Sequence, residues 1–170
     1  MKPSGNGSVL RSQYGGQSWE AIPIAYPNMN TPPELRSLIV TTSPSALIAA
    51  GAPGTIVRSS DAGRTWQVAH WTPLEKEEAF PWILANQGRQ RLAVIEARGS
   101  MYTSNNGGRE WRLSKFSTDR ELWQGSVLES QNVMIAAGQQ GAAARSTDEG
   151  RTWSPVETGV SAAELEHPPL

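Results

Sequence analysis

The sequence predicts an all-β repeat protein, and three observations carry that reading. One phrase, Ser-x-x-x-Gly-x-x-Trp, occurs four times: Ser12 to Trp19 (SQYGGQSW), Ser59 to Trp66 (SSDAGRTW), Ser104 to Trp111 (SNNGGREW) and Ser146 to Trp153 (STDEGRTW). The serines stand 47, 45 and 42 residues apart, a period at which each unit of a repeat array buries its apolar face against the next. A glycine lies five residues before every serine (Gly7, Gly54, Gly99, Gly141), preceded in three copies by a small and aliphatic run: ALIAAGAPG at 46–54, RLAVIEARG at 91–99 and VMIAAGQQG at 133–141. Those runs hold four to six apolar residues, too short for a helix and right for buried strands.

The elements follow in order. Residues 1–27 read as the second half of a unit, with GSVLRS as a third strand, WEAIPIAY as a fourth, and the first two strands missing. The segment NMNTPPE (28–34) is a loop by its prolines and asparagines. A complete unit spans 35–74, with LRSLIVTT, ALIAAG, TIVRS and WQVAHW as strands; a second spans 78–117, with FPWILAN, RLAVIEA, SMYTS and WRLSKF. A third spans 121–159, with LWQGSVLE, VMIAAG, AAARS and WSPVE, and the tail 160–170 has room for one short strand at most. The total is about three and a half units in one domain of 170 residues. Gly51 with Gly54, and Gly138 with Gly141, mark tight hairpins, because glycine takes positive φ without steric cost.

The polar turn is built from its own side chains. The Asp61 carboxylate is placed to accept backbone N–H groups of its turn, Gly63 supplies a left-handed residue, Thr65 resumes the strand, and Trp66 enters a core. Asp148, Gly150, Thr152 and Trp153 repeat the arrangement. Asn106 replaces the aspartate in the third copy and Tyr14 in the first, so those two turns are expected to be less well held. All four tryptophans, Trp19, Trp66, Trp111 and Trp153, are expected in the core.

The phrase resembles the Asp-box, or BNR repeat, of sialidases, sortilin-type receptors and photosystem II assembly factors. The longer pattern, small apolar run, Gly-x-x-Gly, short strand and Arg-Ser-x-Asp-x-Gly-Arg-Thr-Trp, is most similar to the Ycf48-like group. The resemblance covers roughly residues 5–160. It implies a β-propeller of four-stranded antiparallel blades, with the box joining the third and fourth strands. It assigns structural roles to Ser12, Gly16 and Trp19; Ser59, Asp61, Gly63, Thr65 and Trp66; Ser104, Asn106, Gly108 and Trp111; and Ser146, Asp148, Gly150, Thr152 and Trp153. With about three and a half blades the ring is partial: an arc of a larger chain, half of a ring closed by a homodimer, or a four-bladed ring patched by its tail. The function implied is a non-catalytic scaffold that binds a protein partner. An export signal upstream would place it in a periplasmic or thylakoid-lumen-like compartment.

Composition narrows the classes. A formal charge of −1 gives no electrostatic reason to expect nucleic acid. Without cysteine there is no disulfide, thiol chemistry or thiolate metal site. No apolar stretch approaches 18 residues, so no transmembrane segment is expected, and MKPSGNGSVLRS lacks the apolar core of a signal peptide. Two histidines, His70 and His167, are too few for a histidine metal site, and neither suits a Ser-His-Asp site. No cofactor is expected.

Glycoside hydrolysis needs only two suitably spaced carboxylates. Those outside the boxes are Glu20, Glu34, Glu75, Glu77, Glu78, Glu96, Asp119 and Glu121. Asp-box sialidases also hold the substrate carboxylate with an arginine triad and use an N-terminal Arg-Ile-Pro-like motif with a tyrosine–glutamate nucleophile pair. Here AIPIAYP (21–27) lacks the arginine, and Tyr14, Tyr26 and Tyr102 fall in a box turn and strands. No catalytic residue is assigned. A sialidase- or xyloglucanase-like hydrolase is the rival reading, and a remnant without an independent role is the third.

Arginine has positional regularity. Arg64, Arg109 and Arg151 share one box position, with Gln17 in the first copy, and so mark equivalent places along one rim. Arg11, Arg58 and Arg145 precede the box serine, and Thr103 breaks that set. Exposed turn arginines commonly face solvent or a neighbouring carboxylate; the functional alternative is a basic arc docking a carboxylate-bearing partner. Trp82 and Trp123, at blade starts, are the remaining candidates for partner binding, beside loops 72–79 and 117–122.

Overall fold

The computed structural model describes residues 2–3, 7–27, 29–42, 45–52, 54–71, 82–85, 91–95, 100–115, 122–128 and 133–159. They form four antiparallel sheets in chain order. The first joins β1 (Lys2–Pro3), β2 (Val9–Arg11) and β3 (Glu20–Ile22). The second is a meander of β4 (Glu34–Thr42), β5 (Ser45–Ala52), β6 (Thr55–Ser59) and β7 (Gln67–Trp71). The third runs β8 (Trp82–Ala85), β9 (Leu92–Ile95), β10 (Ser100–Ser104) and β11 (Arg112–Lys115). The fourth runs β12 (Leu122–Leu128), β13 (Val133–Gly138), β14 (Ala143–Ser146) and β15 (Ser154–Pro155).

The apolar runs are continuous because their strands are covered on both faces. Register pairs Ile48 with Arg58 and Ala50 with Ile56, which puts these four side chains on one face and Leu47, Ala49, Val57 and Ser59 on the other. The first face packs on the next blade, where Ile48, Ala50 and Ile56 meet Leu92, Val94 and Tyr102. The second face packs on the preceding sheet, with Ala49, Val57, Leu35 and Trp66 against Val9 and Ile22. The third interface repeats the plan: Ala93, Ile95 and Met101 meet Leu122, Met134, Ala136, Ala144 and Trp153. Burying each of Ile48, Ile56 and Ile95 stabilises the stack by roughly 1.5–3 kcal/mol. The cores therefore lie between blades. First strands of successive blades lie side by side, β4 by β8 and β8 by β12.

Two local expectations are corrected. The first sheet has three strands, not two, among the described residues: Lys2 and Pro3 pair with Leu10 and Val9. Gly51 is not a turn residue but lies inside β5, where a Cβ would stand 2.5 Å from the Glu34 carbonyl oxygen, so it is needed for close strand approach. In the corresponding hairpin of the fourth sheet Gly138 is extended, and the positive φ values belong to Gln140 and Gly141.

The box glycines carry the stacking. A Cβ on Gly108 would lie 2.6 Å from Ile48 Cδ1 of the preceding blade, and one on Gly150 would collide with Thr103 of its preceding blade. The first box has no sheet before it among the described residues, and a Cβ on Gly16 would meet only Trp19, at 3.8 Å. Both Gly16 and Gly108 have positive φ, so the backbone cost of alanine is shared. We expect Gly108→Ala to lose about 1–3 kcal/mol more than Gly16→Ala, the overpacking cost alone; urea unfolding of the two variants measures it.

Candidate functional site

The rim is made of four box turns, and one hydrogen bond is common to them. The serine hydroxyl accepts the N–H of the box glycine four residues on: Ser12 from Gly16 at 2.8 Å, Ser59 from Gly63 at 2.9 Å, Ser104 from Gly108 at 2.9 Å and Ser146 from Gly150 at 2.8 Å. In three copies the same hydroxyl donates to the acid or amide two residues on: Asp61 at 2.8 Å, Asn106 at 3.0 Å and Asp148 at 2.8 Å. Sequence reasoning missed this role for the serine, although its presence in every copy was the available signal.

The aspartate acts as read from the sequence. Asp61 Oδ1 accepts the N–H groups of Arg64 (3.0 Å) and Thr65 (2.9 Å), and Oδ2 accepts the Thr65 hydroxyl at 2.6 Å. Asp148 accepts the Thr152 N–H (2.9 Å) and hydroxyl (2.6 Å). The Thr65 hydroxyl and N–H, then the Ser59 hydroxyl, hold Asp61 far below the ordinary carboxylate range. For Asp148, burial pulls upward, but the Thr152, Ser146 and Arg151 donors together bring it down to about 2.

Each turn places two consecutive residues at positive φ: Gly15 and Gly16, Ala62 and Gly63, Gly107 and Gly108, Glu149 and Gly150. The two copies that keep the aspartate hold a non-glycine residue at the first of these positions, and the two that lost it have glycine there. A left-handed non-glycine residue costs roughly 1–2 kcal/mol, and the carboxylate's bonds oppose that cost. Asn106 still accepts Arg109 N–H at 3.2 Å and Glu110 N–H at 3.0 Å. In the first turn Gln17 N–H goes instead to the Tyr14 carbonyl at 3.2 Å.

The tryptophans divide according to what precedes them. Trp66 and Trp153 are buried, and Trp111 is partly buried, each against the preceding sheet. Trp111 and Trp153 donate their indole N–H to the carbonyls of Gly108 and Gly150, both at 3.2 Å. Trp66 Nε1 is buried without a hydrogen-bond partner among the described residues. The core expectation for Trp19 is corrected: it is 48 % exposed, because no described sheet lies before the first one to receive it. Trp82 and Trp123 begin or enter β8 and β12, but their side chains, and loops 72–79 and 117–121, lie outside the described residues.

Arg64, Arg109 and Arg151 are exposed on the turns, as their shared position requires. The second arginine set interleaves with them. Arg58 lies on the face that meets the next blade, close enough to Arg109 for the two cations to repel. Burial first, and Arg109 next, push the Arg58 guanidinium below its ordinary value, and its buried Nε has no acceptor among the described residues. The two ion pairs among those residues are Arg36–Glu34 and Arg91–Glu149, so Arg11, Arg58, Arg64, Arg109, Arg145 and Arg151 stand outside any. Between the second and third blades a shallow groove is lined by Asn105, Glu110, Arg112, Glu149 and Arg151. The two blades are tied together beside it by Arg91 to Glu149 at 2.9 Å and by the Ser114 hydroxyl to the Arg151 carbonyl at 2.9 Å. Sequence reasoning did not find Arg112, since only adjacency of two turns brings it beside Arg151.

His70 is a packed histidine, half-buried against Tyr102 with ring centroids 4.3 Å apart, and burial lowers its pKa. Of the carboxylates weighed for hydrolysis, Glu75, Glu77, Glu78, Glu96, Asp119 and Glu121 lie outside the described residues, as does His167. Glu20 is exposed and Glu34 pairs with Arg36. Among the described residues no cluster of His, Asp or Glu has the makings of a metal site, and no helix is long and apolar enough to cross a membrane.

Four-stranded meanders stacked face to face around common first strands, each with a box turn before its last strand, define an Asp-box β-propeller. Solved structures bear this out. Ycf48 from Cyanidioschyzon merolae is 19% identical with a TM-score of 0.54, over 88% of this chain and 49% of that one. A Ycf48 bound to D1 peptide is 16% identical with a TM-score of 0.58, over 92% and 50%. An ancestral GH74 enzyme is 19% identical with a TM-score of 0.65, over 91% and 22%. No protein-family model and no curated protein sequence matches the chain. The chain spans about half the length of the two Ycf48 chains and under a quarter of the GH74 enzyme.

The Asp148 shift sets an acid limit. Its folded pKa lies below the unfolded value near 4, so its contribution to stability is complete above about pH 4 and is lost as pH falls toward about 2. We expect the urea midpoint of the protein to fall over that window and Asp148→Asn to flatten the fall. Asp61→Ala should destabilise more than Asn106→Ala, because Ala62 depends on the carboxylate while Gly107 needs no such support; the same unfolding assay compares them.

Proposed function

We propose that the chain is a non-catalytic propeller scaffold that binds a protein partner along the box-turn rim, in the manner of Ycf48-like assembly factors, with the ring completed by a second copy. The observation that carries the rim reading is the interleaved arginine set: Arg58 and Arg109 repel each other, and none of the six arginines has an ion-pair partner among the described residues. Two nearby guanidiniums without a carboxylate fit an incoming carboxylate, which relieves their repulsion and forms charge-assisted hydrogen bonds. A partner segment rich in Asp and Glu, or ending in a free carboxylate, has that chemistry. The Ycf48 solved with a bound D1 peptide supports peptide or protein binding as the class of function.

Titration with a fluorescein-labelled acidic peptide tests the reading. Anisotropy should report saturable binding that weakens as salt rises, and Arg58→Gln combined with Arg109→Gln should weaken it at least about tenfold, the effect of about 1.4 kcal/mol. Arg36→Gln, away from the rim, serves as the control. The GH74 neighbour motivates the converse measurement. Turnover of xyloglucan or fluorogenic sialosides, abolished by changing one carboxylate, would replace the scaffold with a hydrolase.

A further inference from the structure

Among the described residues the first and fourth sheets each leave one face without a neighbouring sheet, and the interfaces between the sheets show what such faces bind. At each described interface the box of one sheet seats on the preceding sheet, so that Trp66 is 6 % and Trp153 8 % exposed. The first sheet offers the same device uncovered: Trp19 is 48 % and Tyr14 69 % exposed, and a Cβ on Gly16 would meet nothing nearer than Trp19 at 3.8 Å. At the other end, register places Ile135, Ala137, Ala143 and Arg145 on one face of the fourth sheet. They correspond in register to Ile48, Ala50, Ile56 and Arg58, the surface that receives the third sheet. Ile48, Ala50 and Ile56 are fully buried, whereas Ala137 and Arg145 are exposed and Ile135 and Ala143 only half-buried.

The geometry points to a head-to-tail contact in which the first box of one copy seats on the fourth-sheet face of a second copy. This rests on the ring-completion part of the proposed function and does not require that the rim bind a carboxylate. Two features favour that occupant. The receiving face is shallower than its internal counterparts, with Ala143 where they carry Ile56 and Met101, and the first box is the one that adds an aromatic, Tyr14, to its tryptophan. Charge agrees as well: Arg58 stands against Arg109, but Arg145 would meet Gln17, the one box copy without the arginine. A contact between unlike faces closes a ring when the rotation per copy fits, and a twofold pair uses both of its junctions.

The chain has no cysteine, so introduced thiols report on this contact alone. Light scattering should give a mass twice 18.4 kDa for the unaltered protein. Gln17→Cys and Arg145→Cys variants, prepared separately, mixed and mildly oxidised, should give a covalent dimer, and neither variant alone should. Trp19→Glu changes an exposed side chain, so its folded spectrum should persist while dimerisation weakens at least about tenfold, a loss near 1.4 kcal/mol. A dimer mass without the mixed cross-link, or with cross-links in a single-variant sample, would overturn the head-to-tail assignment while leaving association of two copies standing. A monomer at all concentrations would overturn both, without touching the peptide-binding test of the rim.

Discussion

The structure depends on the bond from the box glycine N–H to the serine hydroxyl, because that bond fixes where the next side chains go. It closes the turn so that two left-handed residues bring the box glycine flat onto the preceding blade. Had the glycine carried a Cβ, Gly108 would meet Ile48 and Gly150 would meet Thr103. The tryptophan three residues later is then delivered into the same interface. Loss of the serine hydroxyl would leave a buried N–H without an acceptor, a penalty of about 1–3 kcal/mol.

Around this constant bond the rest of the turn varies by compensation. Aspartate and a strained non-glycine residue occur together, as do a lost aspartate and a glycine. The third turn illustrates how little is given up: Asn106 keeps both backbone bonds through its carbonyl and directs its amide to Glu110 at 3.2 Å. Only the first turn lacks an Asp or Asn acceptor, and it is also the turn that meets no preceding sheet among the described residues.

The rim and the interfaces are coupled through geometry. Because each blade seats its box on the one before, Arg58 near the end of β6 is brought toward Arg109 on the box turn of the next blade. The same seating sets the turn of the third blade beside that of the second and forms the groove holding Arg112, Glu149 and Arg151. Charged groups distant in sequence are thus collected on one edge by apolar packing beneath them.

Most of the fold was legible in the sequence, for a physical reason. Strand runs of ALIAAG and VMIAAG type are continuous because both faces are buried, and the box needs a serine, a turn former, a glycine and a tryptophan at fixed offsets. Those are local requirements, so they appear in the chain itself, as does the common position of Arg64, Arg109 and Arg151. Which residues face one another across blades is not local. The exposure of Trp19, the repulsion of Arg58 and Arg109, and the joining of Arg112 to Arg151 follow from stacking order, which no single repeat encodes. The sequence alone determined the unit and its turn chemistry; only the tertiary structure decided which faces were covered, because covering a face requires a neighbour.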